Sequence, residues 1–68
     1  MPELTETEEN ILRMIVGRMP DKEIAFALDV SESTVEMHIK NIFDKIGVSD
    51  RTSAATTAIK QGLVRVDL

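Results

Sequence analysis

The chain has 68 residues, with twelve acidic against eight basic side chains, a formal charge of −4 and no cysteine. That length supports one small core and no second one, and the absence of thiols excludes a disulfide scaffold, a thiol nucleophile and a cysteine zinc site. No apolar run approaches the roughly 18 residues of a membrane span and the acidic opening is unlike a signal peptide, so a single cytoplasmic domain over residues 1–68 is expected.

The first helix is announced by Thr5 with Glu8 three residues on, a capping box, and by the apolar stripe Ile11, Leu12, Ile15 and Val16, which ends near Gly17. Leu4 is set to pack beneath it as a staple. Pro20 and Asp21 then punctuate the chain, and Asp21 or the residue before it starts a short second helix with Ile24, Ala25 and Leu28 on one side. Asp29 and Val30 break that pattern. Ser31 is taken as the cap of a third helix over 32–46, with Ser33 and Glu36 as an overlapping capping-box option.

In the third helix Val35, Ile39, Ile42 and Ile46 recur at offsets of four, three and four, a stripe that faces the core. At about 100 degrees per residue, Ser33, Met37, Lys40 and Asp44 fall on the opposite side, with Glu36 and Asn41 at its edges. This side meets solvent or a ligand. Gly47 supplies a stop. A last helix over about 50–61, starting near Ser49 or Asp50 and ending at Gly62, carries Ala54, Ala55, Ala58 and Ile59, with Thr56, Thr57 and Lys60 nearer the outside. The expected fold class is all-α, a compact four-helix domain with a helix-turn-helix over about 21–46. Such a pair inserts its second helix into the DNA major groove.

Over roughly residues 4 to 64 the chain resembles the LuxR-type helix-turn-helix domain of bacterial response regulators and quorum-sensing activators. The carriers are Leu4-Thr5, Glu8 and Leu12; Lys22-Glu23-Ile24-Ala25 and Leu28; Ser31, Thr34-Val35, His38, Asn41-Ile42, Lys45 and Val48; then Arg51-Thr52, Ala54 and Gly62-Leu63. The resemblance implies sequence-specific binding of double-stranded operator DNA for transcription regulation, usually as a homodimer joined through the last helix, here Ala55, Thr56 and Ile59. It implies base-side roles for Glu36, Met37 and Lys40, which the helical wheel independently exposes. Lys22, Ser31, Ser33, Thr34, His38, Asn41 and Lys45 are the matching candidates for the phosphate backbone, where contacts orient without reading sequence. It also implies a separate N-terminal regulatory domain in a longer parent protein and allows a contact with RNA polymerase. No cofactor is implied.

Two residues depart from the family pattern: Glu36 and Thr7 stand where cations are usual. The helix from Ser31 to Ile46 carries Glu32, Glu36 and Asp44 against Lys40 and Lys45, a net negative surface that is unusual against phosphate. Location softens the overall charge, because Glu3, Glu6, Glu8 and Glu9 account for the excess and residues 10–68 balance at eight acids and eight bases. Acids near a helix start also complement its dipole. Glu36 has two readings. It accepts from cytosine N4 beside Met37 on a thymine methyl and Lys40 on guanine, each good pair discriminating by about 1–3 kcal/mol. Alternatively it serves the helix, through its capping reach and an i,i+4 pair with Lys40 worth about 0.2–0.5 kcal/mol.

His38 is the only histidine, so it lacks the partners of a three-ligand metal site or a catalytic triad. Met14, Met19 and Met37 read as core fillers and one exposed contact. No enzyme is expected. The rival reading is a protein-interaction module of the same fold that heterodimerises with a DNA-binding regulator and inhibits it.

Overall fold

The computed structural model describes residues 3–64, so the expected limits of 1–68 extend past the described residues at both ends. Within that range run α1 (Glu6–Val16), α2 (Asp21–Leu28), α3 (Glu32–Ile46) and α4 (Arg51–Lys60), and no strand occurs among the described residues. This is the expected all-α, four-helix arrangement around a helix-turn-helix.

The helix starts follow local chemistry. Thr5 accepts from the Glu8 amide at 3.1 Å while its own amide donates to the Glu8 carboxylate at 2.8 Å, so two otherwise orphaned donors are matched. Leu4 packs against the core, but the fourth residue of α1 is Glu9, which gives a staple no apolar partner. Pro20 precedes α2 without a side-chain cap. Ser31 accepts from the Thr34 amide at 3.1 Å and caps α3. With Ser33 already inside the first turn, the overlapping box with Glu36 is not formed. Asp50 caps α4 by accepting from the Ser53 amide at 2.8 Å and hydroxyl at 3.0 Å. These bonds, the backbone one foremost, hold the Asp50 carboxyl below its ordinary range.

The helix ends use left-handed residues, and not always glycine. Gly47 closes α3 at φ 74°, with its amide donating to the Phe43 carbonyl. After α1, however, Gly17 has an ordinary φ of −76° and the positive φ of 62° falls on Arg18. Asp29 takes φ 56° after α2, a conformation short polar side chains tolerate better than arginine.

Burial follows the expected stripes. Ile11, Leu12, Ile24, Val35 and Ile42 are fully buried. α1 packs on α3 and α4, and α2 packs on α3. Ala54 and Ala58 are wholly buried on the α4 side that meets α1, where small side chains let the two helices approach. Thr57, expected nearer the outside, is half-buried, because it follows the Ala54 row by three residues. Two ion pairs join elements distant in sequence. Lys45 of α3 meets Glu8 of α1 at 2.6 Å, and Arg51 of α4 meets Asp21 of α2 at 2.6 Å while also donating to the Met19 carbonyl.

Candidate nucleic-acid interface

A 15-residue α3 is about 22 Å long and has one side fully committed to the core. Val35 and Ile42 are wholly buried and Ile39 and Ile46 nearly so, while Ser33, Glu36, Met37, Lys40, Asn41 and Asp44 are exposed on the remaining surface. Met37 is 54% exposed, a thioether in water that packing inside the domain does not account for. Ser33 and Asp44 thus lie on the outer side as the wheel predicts.

Glu36 and Lys40 stand one turn apart, yet among the described residues neither forms an ion pair or a side-chain hydrogen bond. The helix-serving role of Glu36 is therefore absent in both its forms. The two groups also line one wall of a groove, with Phe43 and Asp44, that faces Val48 and Arg51 across the start of α4. Its opposite charges are both available to an incoming ligand.

The residues expected at the phosphate backbone frame this surface unevenly. Ser31 and Thr34 are joined hydroxyl to hydroxyl at 2.9 Å at the N-terminus of α3. Lys22 is exposed at the start of α2, Asn41 is exposed, and His38 is half-buried on the flank of α3. Lys45 differs, because its ammonium donates to the Glu8 carboxylate at 2.6 Å and to the Glu3 carbonyl at 3.4 Å. Its charge is already matched within the fold, so its first role is structural. What remains on the outer side of α3 is Glu32, Glu36 and Asp44 against the single unpaired ammonium of Lys40.

Glu8 and Arg51 are the residues whose weight the sequence reading missed. Glu8 is only 5% exposed, and its position three and four residues before Ile11 and Leu12 was a usable sign that it lies on the core side. Burial opposes its charge, but the Lys45 hydrogen bond, the Thr5 amide and the Lys45 charge together outweigh that and hold its carboxyl below its ordinary value. Arg51 gave no such sign, since its partner Asp21 lies at the start of another helix.

On α4, Ala55, Thr56 and Ile59 come together along a second groove, closed by Met19 and Pro20 from the loop after α1. Ile59 is 51% exposed there. Among the described residues no group of three or more His, Cys, Asp or Glu side chains could hold a metal, and no helix is long and apolar enough to cross a membrane.

Comparison with known proteins gives this geometry a family. The family model of bacterial regulatory proteins, luxR family, matches residues 2–58. The transcriptional regulatory protein YdfI of Bacillus subtilis (strain 168) is 40% identical over 65 residues, 96% of this chain and 30% of that protein. The spore germination protein GerE of the same organism is 38% identical over 61 residues, 90% of this chain and 82% of that one. In solved structures, GerE superposes with a TM-score of 0.84 at 36% identity, covering 94% of this chain and 96% of its own. The response regulator ChrA of a heme-sensing two-component system gives 0.89 at 34% identity, over 94% of this chain and 32% of its own. The chain spans less than a third of YdfI and of a second Bacillus regulator, YhcZ. A family model matched over most of the chain, joined to a shared four-helix fold, establishes that the chain belongs to the luxR family of bacterial regulatory proteins.

Proposed function

We propose that the domain reads a specific double-stranded operator by laying α3 in the major groove, with Glu36, Met37 and Lys40 at base edges. The observation that carries this is the outer side of α3, where an exposed Met37 sits between a carboxylate and an ammonium that have no partner among the described residues. Major-groove edges match that set: cytosine N4 donates to a carboxylate, guanine accepts from an ammonium, and the thymine methyl takes an apolar contact. Lys22, Ser31, Ser33, Thr34, His38 and Asn41 are the phosphate contacts, and Lys45 contributes by holding α3 against α1.

The domain measures 29 Å in its longest direction, which is less than the roughly 34 Å between half-sites on one face of DNA. Two copies are therefore needed to read two half-sites, and Ala55, Thr56 and Ile59 of α4 are the proposed homodimer contact. Where the chain belongs to a longer cytoplasmic regulator, an N-terminal regulatory domain controls that pairing, and a contact with RNA polymerase converts binding into a change in transcription.

The test is fluorescence anisotropy with a randomised duplex pool at low and moderate salt, followed by sequencing of the bound fraction. Enrichment of an inverted repeat that depends on Lys40 supports the proposal, and no enrichment at high micromolar protein sinks it. The second reading, an inhibitory heterodimer partner for a DNA-binding regulator, rests on the three exposed carboxylates of α3 and the internal pairing of Lys45. It predicts no shift by the domain alone and loss of a full-length regulator's operator binding when the domain is added.

A further inference from the structure

Phe26 is 89% exposed in the last turn of α2. It is one of only two phenylalanines in the chain, and the other, Phe43, packs against the core. Nothing in the helix-turn-helix requires an aromatic ring in water, since Ile24, Ala25 and Leu28 already supply the packed side of α2. Val30, two residues past the end of α2, is 38% exposed, and Ala27, next to Phe26, is exposed. Together they make a small apolar patch.

The charges around that patch are arranged with opposite signs at opposite ends. Lys22 lies one turn before Phe26, about 6 Å along the helix axis, with Glu23 beside it, while Asp29 caps the other end with its amide on the Ala25 and Phe26 carbonyls and Val30 follows it. All four are exposed. A second copy facing α2 in antiparallel orientation, related by a two-fold axis through the Phe26 level, brings each Lys22 opposite the other copy's Asp29. The rings of the two Phe26 residues meet at the centre, an aromatic pair of the favoured kind.

We propose that this face of α2 is a self-complementary contact between two copies of the chain, centred on Phe26 and keyed by Lys22 with Asp29. The charge pattern selects a second copy over an unrelated partner, because the same patch supplies both members of each pair, as a two-fold contact demands. Eight residues of helix bury far less than the roughly 1,200 Å² of a standard stable interface. The contact is therefore weak, and operates where copies are already held close together. It is separate from the α4 face, so one molecule is able to use both.

Because Lys22 is also a phosphate candidate, the test is made without DNA and is independent of the DNA-binding proposal. Sedimentation equilibrium up to millimolar protein is run in a Thr56→Arg background, which removes the α4 face from the comparison. The expected result is reversible dimerisation, weakened about tenfold or more by Phe26→Ser, by Lys22→Asp and by Asp29→Lys separately. An equimolar mixture of the Lys22→Asp and Asp29→Lys chains recovers association, since each then offers the charge the other needs. Far-UV circular dichroism confirms that each variant is folded; should Asp29→Lys lose helix, Asp29→Asn, which suits a left-handed position, replaces it and the Phe26→Ser and Lys22→Asp results decide. A background chain that stays monomeric throughout, a Phe26→Ser chain that associates like its parent, or a charge-reversed mixture no better than its components overturns the proposal.

Discussion

Lys45 and Glu8 lie 37 residues apart in the chain and 2.6 Å apart in the fold. The Glu8 carboxylate that caps the start of α1 is thus the same group that anchors the last turn of α3, the helix proposed to enter DNA. One carboxylate couples the placement of α3 to the first turn of the domain.

This coupling makes stability depend on acid. Glu8 has a folded-state pKa below its ordinary 4.5, so its contribution is complete above 4.5 and is lost as pH falls from there through the lowered folded-state value, the window in which the unfolded chain binds the proton more readily. Asp50, lowered by its Ser53 cap, acts in the same direction. Urea midpoints measured from about pH 6 down to about pH 3 are expected to fall in the parent chain and to fall less in Glu8→Gln. Equal slopes in the two proteins would refute the role given to Glu8.

Removing the cation instead leaves a buried carboxylate without its partner. Lys45→Met is expected to cost about 2–3 kcal/mol at neutral pH, at the low end for a buried pair because water screens it: the Lys45 side chain is 28% exposed. Adding Glu8→Gln to it should recover part of the loss, and a double-mutant cycle by urea unfolding measures how much. Strict additivity would mean that the two side chains do not act together.

Arg18 occupies a left-handed position at φ 62°, which costs a side chain with a Cβ more than glycine. Arg18→Gly is therefore expected to stabilise by about 0.5–1 kcal/mol, whereas Gly47→Ala, at φ 74°, should destabilise by about 1 kcal/mol. Thermal unfolding of the two variants should move the midpoint in opposite directions.

The alanines of α4 are a test of close packing. Ala58 is wholly buried where α4 packs on α1, and Ala58→Leu should cost about 1–3 kcal/mol through overpacking. Thr56→Ala, at an exposed position of the same helix, should stay within about 0.5 kcal/mol of the parent. Comparable losses at both positions would contradict the assignment of the buried side.

On DNA, the unpaired charges of α3 make separable predictions. Lys40→Ala should weaken the selected operator by about 1–3 kcal/mol and relax preference at a single base position. Glu36→Lys should raise affinity for random duplex and steepen the salt dependence by roughly one phosphate contact, while erasing preference at a different position. Anisotropy titrations across a salt series distinguish the two, and an unchanged salt slope in Glu36→Lys would place residue 36 away from the duplex.

Much of the fold was legible in the chain because its determinants are local. The Thr5 and Ser31 caps, the Gly47 stop and the four-residue stripe of α3 depend on groups three or four positions apart, and helical periodicity alone separated Met37 and Lys40 from Ile39 and Ile42. The same locality made the family resemblance readable. Tertiary structure alone decided which charges remain free. Nothing between residues 8 and 45, or between 21 and 51, announces that Lys45 would be matched by Glu8 or Arg51 by Asp21, because those partners meet only once α1, α2, α3 and α4 are packed. It likewise decided that Glu36 and Lys40, spaced correctly for a helical pair, stay apart and available. An exposed pair of that kind gains a few tenths of a kcal/mol at most, too little to fix either side chain against solvent.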